Sequence, residues 1–175
     1  GHTERLNLYQ CTLNPFPFSE QVLSKLLIAE TDLTGLDLSG RDLSMTQFMD
    51  CPLNNLIAND AHCLQTNFSG CQMNNSQLNR IQGTGLLAAN CELNNSQINQ
   101  ALLDQASFQG AQLNSSSLKN CNLEMSQLPN TELVKANLAG SRLSYADLSH
   151  AQLQQAIISG CEMTRCNLHN IQEED

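Results

Sequence analysis

Eight cysteines and four histidines are the residues of this 175-residue chain best equipped for chemistry. Thiols can pair as disulfides, share a metal with imidazoles or act as nucleophiles. Their spacing discriminates among these roles. Cys11, Cys51, Cys71, Cys91, Cys121, Cys161 and Cys166 all differ by multiples of five, and only Cys63 stands outside the series. A set locked to one phase of a repeat is accounted for by the fold, because a buried free cysteine behaves as a small hydrophobe. Cys51, Cys71 and Cys91 should stack on one wall with parallel side chains, a poor geometry for bridging. All eight read as reduced, which points to a cytosolic compartment. Cys161, Cys166 and His169 come nearest to a metal set, but phase explains the two thiols and no paired ligands accompany them. His2, His62, His150 and His169 are scattered, with no nucleophile and orienting acid at a recognisable spacing. Gly40, Gly70, Gly110, Gly140 and Gly160 punctuate a repeat and do not form a phosphate-cradling loop. No catalytic residue, cofactor or metal is expected, and the chain reads as a non-enzyme.

The element that positions these residues is a repeat of five. From Leu33 to Leu168 every fifth residue is a large apolar side chain in 24 of 28 positions, the exceptions being Ala58, Cys63, Gly83 and Ala88. Chance placement would give roughly seven. Two places earlier, Ala, Cys, Ser or Thr stands in 23 of 28 positions, broken by Leu36, Arg41, Leu56, Ile81 and Leu86. A period of five fits neither a helix nor a strand, so the repeat must be read first. A period of twenty lies over it. Asn54, Asn74, Asn94 and Asn114 recur in register, as do Asn55, Asn75 and Asn95, and Ser76, Ser96 and Ser116. Twenty is four fives, so one turn should have four short sides and close above itself, with the large residue and its small partner pointing inward. Stacked Asn side chains can then hydrogen-bond along the rod; a polar recognition face is the minority reading of the same columns.

Ala136-Asn137-Leu138, Ala146-Asp147-Leu148 and Thr31-Asp32-Leu33 match a motif of small residue, Asp or Asn, then Leu. In this the chain resembles the pentapeptide-repeat family over about four fifths of its length. The resemblance implies an all-β solenoid: a right-handed four-sided β-helix of about seven coils over residues 31–171. At about 4.8 Å per coil the rod would be roughly 33 Å long. Residues 1–18 read as a lead-in with a tag remnant, since the chain starts Gly-His. Residues 19–30 read as a capping helix, with Phe18, Ser19 and Leu23 as a hydrophobic staple and Val22, Leu23, Leu26 and Leu27 on one face. Leu8, Leu13 and Phe18 keep the phase of five, which also allows a partial preceding coil. Residues 172–175 form an acidic tail.

Composition limits the partners. A net charge of −9 disfavours direct nucleic-acid binding, which wants Lys and Arg on one face. No apolar run is long enough to span a membrane, and no basic, apolar leader is seen. The resemblance supplies candidates: some family members mimic duplex DNA and bind or protect bacterial DNA gyrase. Here the acids form no clean stripe, since the column Asp32, Pro52, Gln72, Glu92, Gln112, Glu132, Gln152 is only partly acidic. The long loops and C-terminal dimer module of the quinolone-resistance members are also missing. Three readings follow. The first is a non-catalytic protein-interaction scaffold, acting in the bacterial cytoplasm or, as part of a secreted effector, in a host cytosol. The second is a gyrase-directed DNA mimic. The third is a targeting or substrate-recognition module of a longer enzyme. An exposed last coil could support a homodimer.

Two stretches depart from the motif, 56–63 and 81–88, where Gly83 and Gly85 would let the wall bulge. Drift in a tolerant solenoid is their simpler explanation. As a functional reading, Leu56, His62, Gln82, Gly83, Thr84 and Gly85 are the first candidates for a partner surface.

Overall fold

The computed structural model describes residues 7–10 and 23–173. The chain winds as a right-handed parallel solenoid in which strands and bridges pair residues twenty places apart. Strand β1 (Asn7–Tyr9) pairs with β2 (Leu27–Ala29), and β2 with β3 (Gln47–Met49). Single bridges then continue the same register, from Asp37↔Ile57 to Gln152↔Gln172.

Each side of the square is one five-residue unit. The large residue and its small partner point inward, the residue between them faces out and forms the bridge, and the fourth and fifth residues turn the corner. Backbone bonds join coil to coil in both directions, as in Leu113 N–H to Glu132 O (2.7 Å) and Gln112 N–H to Cys91 O (2.8 Å). The corner closes with a bond from the next small residue back to the large one, such as Thr46 N–H to Leu43 O (3.0 Å). The third residue of that turn has positive φ, the signature of a type II turn. From Lys25 to Asn170 every residue whose number is a multiple of five lies in the left-handed region, and most of them are not glycine. A side chain there costs on the order of 1 kcal/mol, so inter-coil bonding must impose the corner. No Val, Ile or Thr occupies one, as expected for residues that tolerate positive φ least. At Gly110 the constraint is also spatial: a Cβ would meet Asn90 Oδ1 at 2.6 Å.

The interior is a filled column of Leu, with Phe48 and Phe68 stacked at 4.8 Å between ring centres. Three of the departures from the motif prove to be exchanges of size. Leu56 with Ala58, Ile81 with Gly83 and Leu86 with Ala88 place the large residue at the small position and the small residue at the large one. All six lie inside, and the bridges His62↔Gln82 and Gln82↔Leu102 run through undisturbed. The expected bulge is absent, because each exchange conserves volume within its own side. An apolar cavity of about 10 Å³ lies beside Ala88, lined by Phe68, Ile81, Leu86 and Phe108. It has no polar partner to hold a water.

The expected helix over 19–30 is corrected where it is described. Residues 23–30 are a corner and strand β2, with Leu23 and Ile28 buried in the phase of five and φ of +64° at Lys25. A short isolated helix is marginal, whereas Leu27–Ala29 gains strand partners on both sides. The partial preceding coil is present at Asn7–Tyr9. Residues 19–22, like the lead-in 11–18, lie outside the described residues.

Candidate interaction faces

Four faces follow from the winding. Face A carries Leu33, Leu53, Met73, Leu93, Leu113, Leu133 and Leu153 inside; face B follows with the Leu38 column, face C with the Leu43 column and face D with the Phe48 column. All four share one problem. The amide of the residue after the large one points out of the wall and needs an acceptor. Two solutions appear. In the first, an Asp or Asn just before the large residue accepts it, as Asp32 does from Thr34, Asp42 from Ser44 and Asp147 from Ser149. These bonds explain the acidic position of the motif. Side-chain and backbone bonds from Thr34, Ser39 and Ser44 hold the carboxyls of Asp32, Asp37 and Asp42 below the usual range.

In the second solution an Asn of the coil below accepts. On face A, Asn54 Oδ1 accepts from Asn74 N–H, Asn74 from Asn94, Asn94 from Asn114, and Asn114 from Val134, each at 3.0 Å. On face B, Asn59, Asn79 and Asn99 do the same and end at the amide of Lys119. The Asn amide groups reach outward on face A: Asn74 donates to Glu92 (3.0 Å), Asn94 to Gln112 (3.1 Å) and Asn114 to Glu132 (2.8 Å). The columns are thus structural ladders, and they also align Glu92, Gln112 and Glu132 in a row.

Faces C and D differ. The amides of Leu64, Thr84 and Asp104 on face C, in three successive coils, find no acceptor among the described residues. Exposed large apolar residues gather on the same side. Below the last coil, Tyr9, Met45, Met49, Leu64, Leu87, Leu102, Met125 and Tyr145 all stand on C or D, and none stands on A or B.

Of the residues expected to form a partner surface, Leu56 and Gly83 are buried and offer no side chain outward. Leu56 belongs to face B. His62 and Gln82 are exposed, and Thr84 and Gly85 are half-exposed, on face C. Sequence reasoning did not single out Leu64, Leu87 and Leu102, which stand exposed around them. Their signal was an apolar residue at an outward phase of the five.

Burial makes the thiols of Cys63, Cys71, Cys91 and Cys121 poor nucleophiles. Burial pushes Cys63 and Cys71 up to about 12 and Cys121 up to about 11, and raises Cys91 further. The Cys91 thiol donates to Phe68 O and the Cys121 thiol to Ile98 O (2.6 and 2.9 Å). Among the described residues no group of His, Cys, Asp or Glu could hold a metal, and no helix is long and apolar enough to cross a membrane. His150 and His169 meet edge to face, with ring centres 5.5 Å apart.

Comparison with known proteins agrees with this geometry. The family model described as pentapeptide repeats matches residues 89–128 and 131–170, in eight copies. Two structures of trypsin-treated variants of QnrB1, a plasmid-mediated fluoroquinolone resistance protein, are similar in fold. One is 18% identical, with 98% of this chain and 92% of that chain covered and a TM-score of 0.84. The other is 17% identical, with 98% and 90% covered and a TM-score of 0.60. Comparison with curated proteins gives no match. The unbroken register of twenty, the inward Leu column and the matching family model together make this chain a member of the pentapeptide-repeat family.

Proposed function

We propose that the chain is a non-catalytic protein-interaction scaffold. The observation that carries this reading is the filled interior: Leu columns occupy the rod, and the apolar cavity left beside Ala88 is about 10 Å³. Function must then reside on the outer faces, where the side chains are held in fixed rows. Reduced, buried thiols support a cytoplasmic setting. His62, Gln82, Thr84 and Gly85 remain the polar part of the proposed partner surface. The layer Ile158, Met163 and Leu168, partly exposed in the last coil, is where a homodimer would form.

One observation favours the alternative, a DNA mimic directed at DNA gyrase. The ladder on face A orients Glu92 and Glu132 two coils apart, about 9.6 Å at the usual strand spacing. The test is a supercoiling assay with purified DNA gyrase, with and without a fluoroquinolone. The scaffold reading predicts no effect at stoichiometric protein. Inhibition or protection that disappears in Glu92→Gln/Glu132→Gln would replace it with the mimic.

A further inference from the structure

Six successive coils each place one large apolar side chain along this edge of the rod, Leu64 and Leu102 on face C, Leu87 on face D, and Met45, Met125 and Tyr145 at the corner between them, all 42–54% exposed. The stripe covers five coil steps, about 24 Å. Its middle is uncharged, since residues 61–70 and 81–90 contain no Asp, Glu, Lys or Arg. Carboxylates adjoin it, with Asp42 and Asp50 at its first coil and Asp104 on face C beside Leu102, while the neighbouring Glu124 is already paired with Arg142. On faces C and D no Lys or Arg stands between Arg41 and Arg142. Arg41 is half-buried at an inward-phase position, and Arg142 is engaged by Glu124 at 2.6 Å.

We infer that this edge is a docking site for a basic amphipathic α-helix of a protein partner. The inference rests on the scaffold reading and names its partner's chemistry. A β-strand is a poor occupant, because the backbone here is already paired between coils: Gln65 N–H to Thr84 O, Gly85 N–H to Asp104 O, Leu87 N–H to Thr66 O. A helix fits the spacing. Apolar residues at i, i+3, i+4 and i+7 recur every 4.5–6 Å along its axis, close to the coil step, and about 16 residues would span the stripe. Lysines flanking that apolar face would meet the adjoining carboxylates, where charge complementarity selects the partner. Gly85, where an added Cβ would meet only the flexible Cγ of Gln65 at 3.5 Å, keeps the path low between Leu64 and Leu87. The unpaired amides of Leu64, Thr84 and Asp104 are available to polar side chains of the same helix.

The test titrates the full chain against a fluorescein-labelled 16-residue helical peptide with Leu on one face and Lys on its flanks, read by anisotropy. A second peptide carries Glu in place of Lys. The expected result is saturable binding of the basic peptide only, weakened at least about tenfold in Leu64→Gln/Leu87→Gln/Leu102→Gln. Those residues are exposed, so an unchanged thermal melt certifies the fold. Glu92→Gln/Glu132→Gln on face A should bind as wild type does. The inference is overturned by no binding, by equal binding of both peptides, or by full binding to the triple variant. It is equally overturned if sedimentation shows self-association that the triple variant abolishes, which would make the occupant a second copy. None of these outcomes bears on the scaffold reading, which the supercoiling assay decides separately.

Discussion

Faces A and B and faces C and D are built from the same unit, yet they treat the outward amide differently. From Asn74 to Val134 on A and from Asn79 to Lys119 on B, the Asn of one coil accepts the amide of the next. On C the amides of Leu64, Thr84 and Asp104 are left open, and apolar residues stand where Asn or Gln stands elsewhere. The wall geometry is the same on all sides, so the ladders are not required to form a coil. They add stability on one side, and the other side is thereby free to vary. This is how a quasi-one-dimensional fold separates a spine from a working face.

Substitutions can sharpen or break that division. The largest effect should come from neither side but from what they share. Leu113→Asp places an unpaired charge at a fully buried position and should cost more than about 4 kcal/mol. Denaturant titration should show the middle coils lost; an unchanged cooperative transition would sink the inward-phase assignment. Next come the size exchanges. Leu86→Ala should cost about 2–5 kcal/mol through a cavity, and Ala88→Leu about 1–3 kcal/mol through overpacking. The double variant, which restores the ordinary motif, should recover to within about 1.5 kcal/mol of wild type. Additive losses would contradict volume conservation.

The two sides themselves are compared by Asn94→Ala and Leu64→Gln. The first leaves the amide of Asn114 without its acceptor and should cost about 1–2 kcal/mol. The second should change stability by less than about 0.5 kcal/mol, as thermal melts would show. The smallest effect is on pH. The depressed carboxyls of Asp32, Asp37 and Asp42 stabilise the first coil above the ordinary carboxylate range. That contribution is lost as pH falls through their lowered folded values, below about pH 4. Asp32→Asn/Asp37→Asn/Asp42→Asn keeps the acceptors without the charge, so its acid transition should be shallower.

Most of the architecture was legible in the sequence because packing and winding share one period. Leu33 to Leu168 announced both the inward column and the four-sided turn. The corners were legible in part, through the spacing of Gly40, Gly70, Gly110, Gly140 and Gly160. Residues 23–30 misled because Leu23, Leu26 and Leu27 also fit a helical face, and local periodicity cannot reveal that Asn7–Tyr9 and Gln47–Met49 supply strand partners. The stretch 81–88 misled differently. Gly83 and Gly85 look like loop residues, but Ile81 and Leu86 fill the space inside, and a one-residue pattern does not report volume. The candidate surface was half legible: Gln82 and Thr84 drew attention as departures, whereas Leu64, Leu87 and Leu102 passed as ordinary apolar residues.

The division between spine and open face is tested most directly by native-state hydrogen exchange, resolved residue by residue. The amides of Asn74, Asn94, Asn114, Asn79, Asn99 and Lys119, each bonded to an Asn below, should be protected. Those of Leu64, Thr84 and Asp104 should exchange close to the rate of an unstructured chain. Equal protection of the two sets would contradict the account, since it would mean that the ladders do not distinguish one side of the rod from the other.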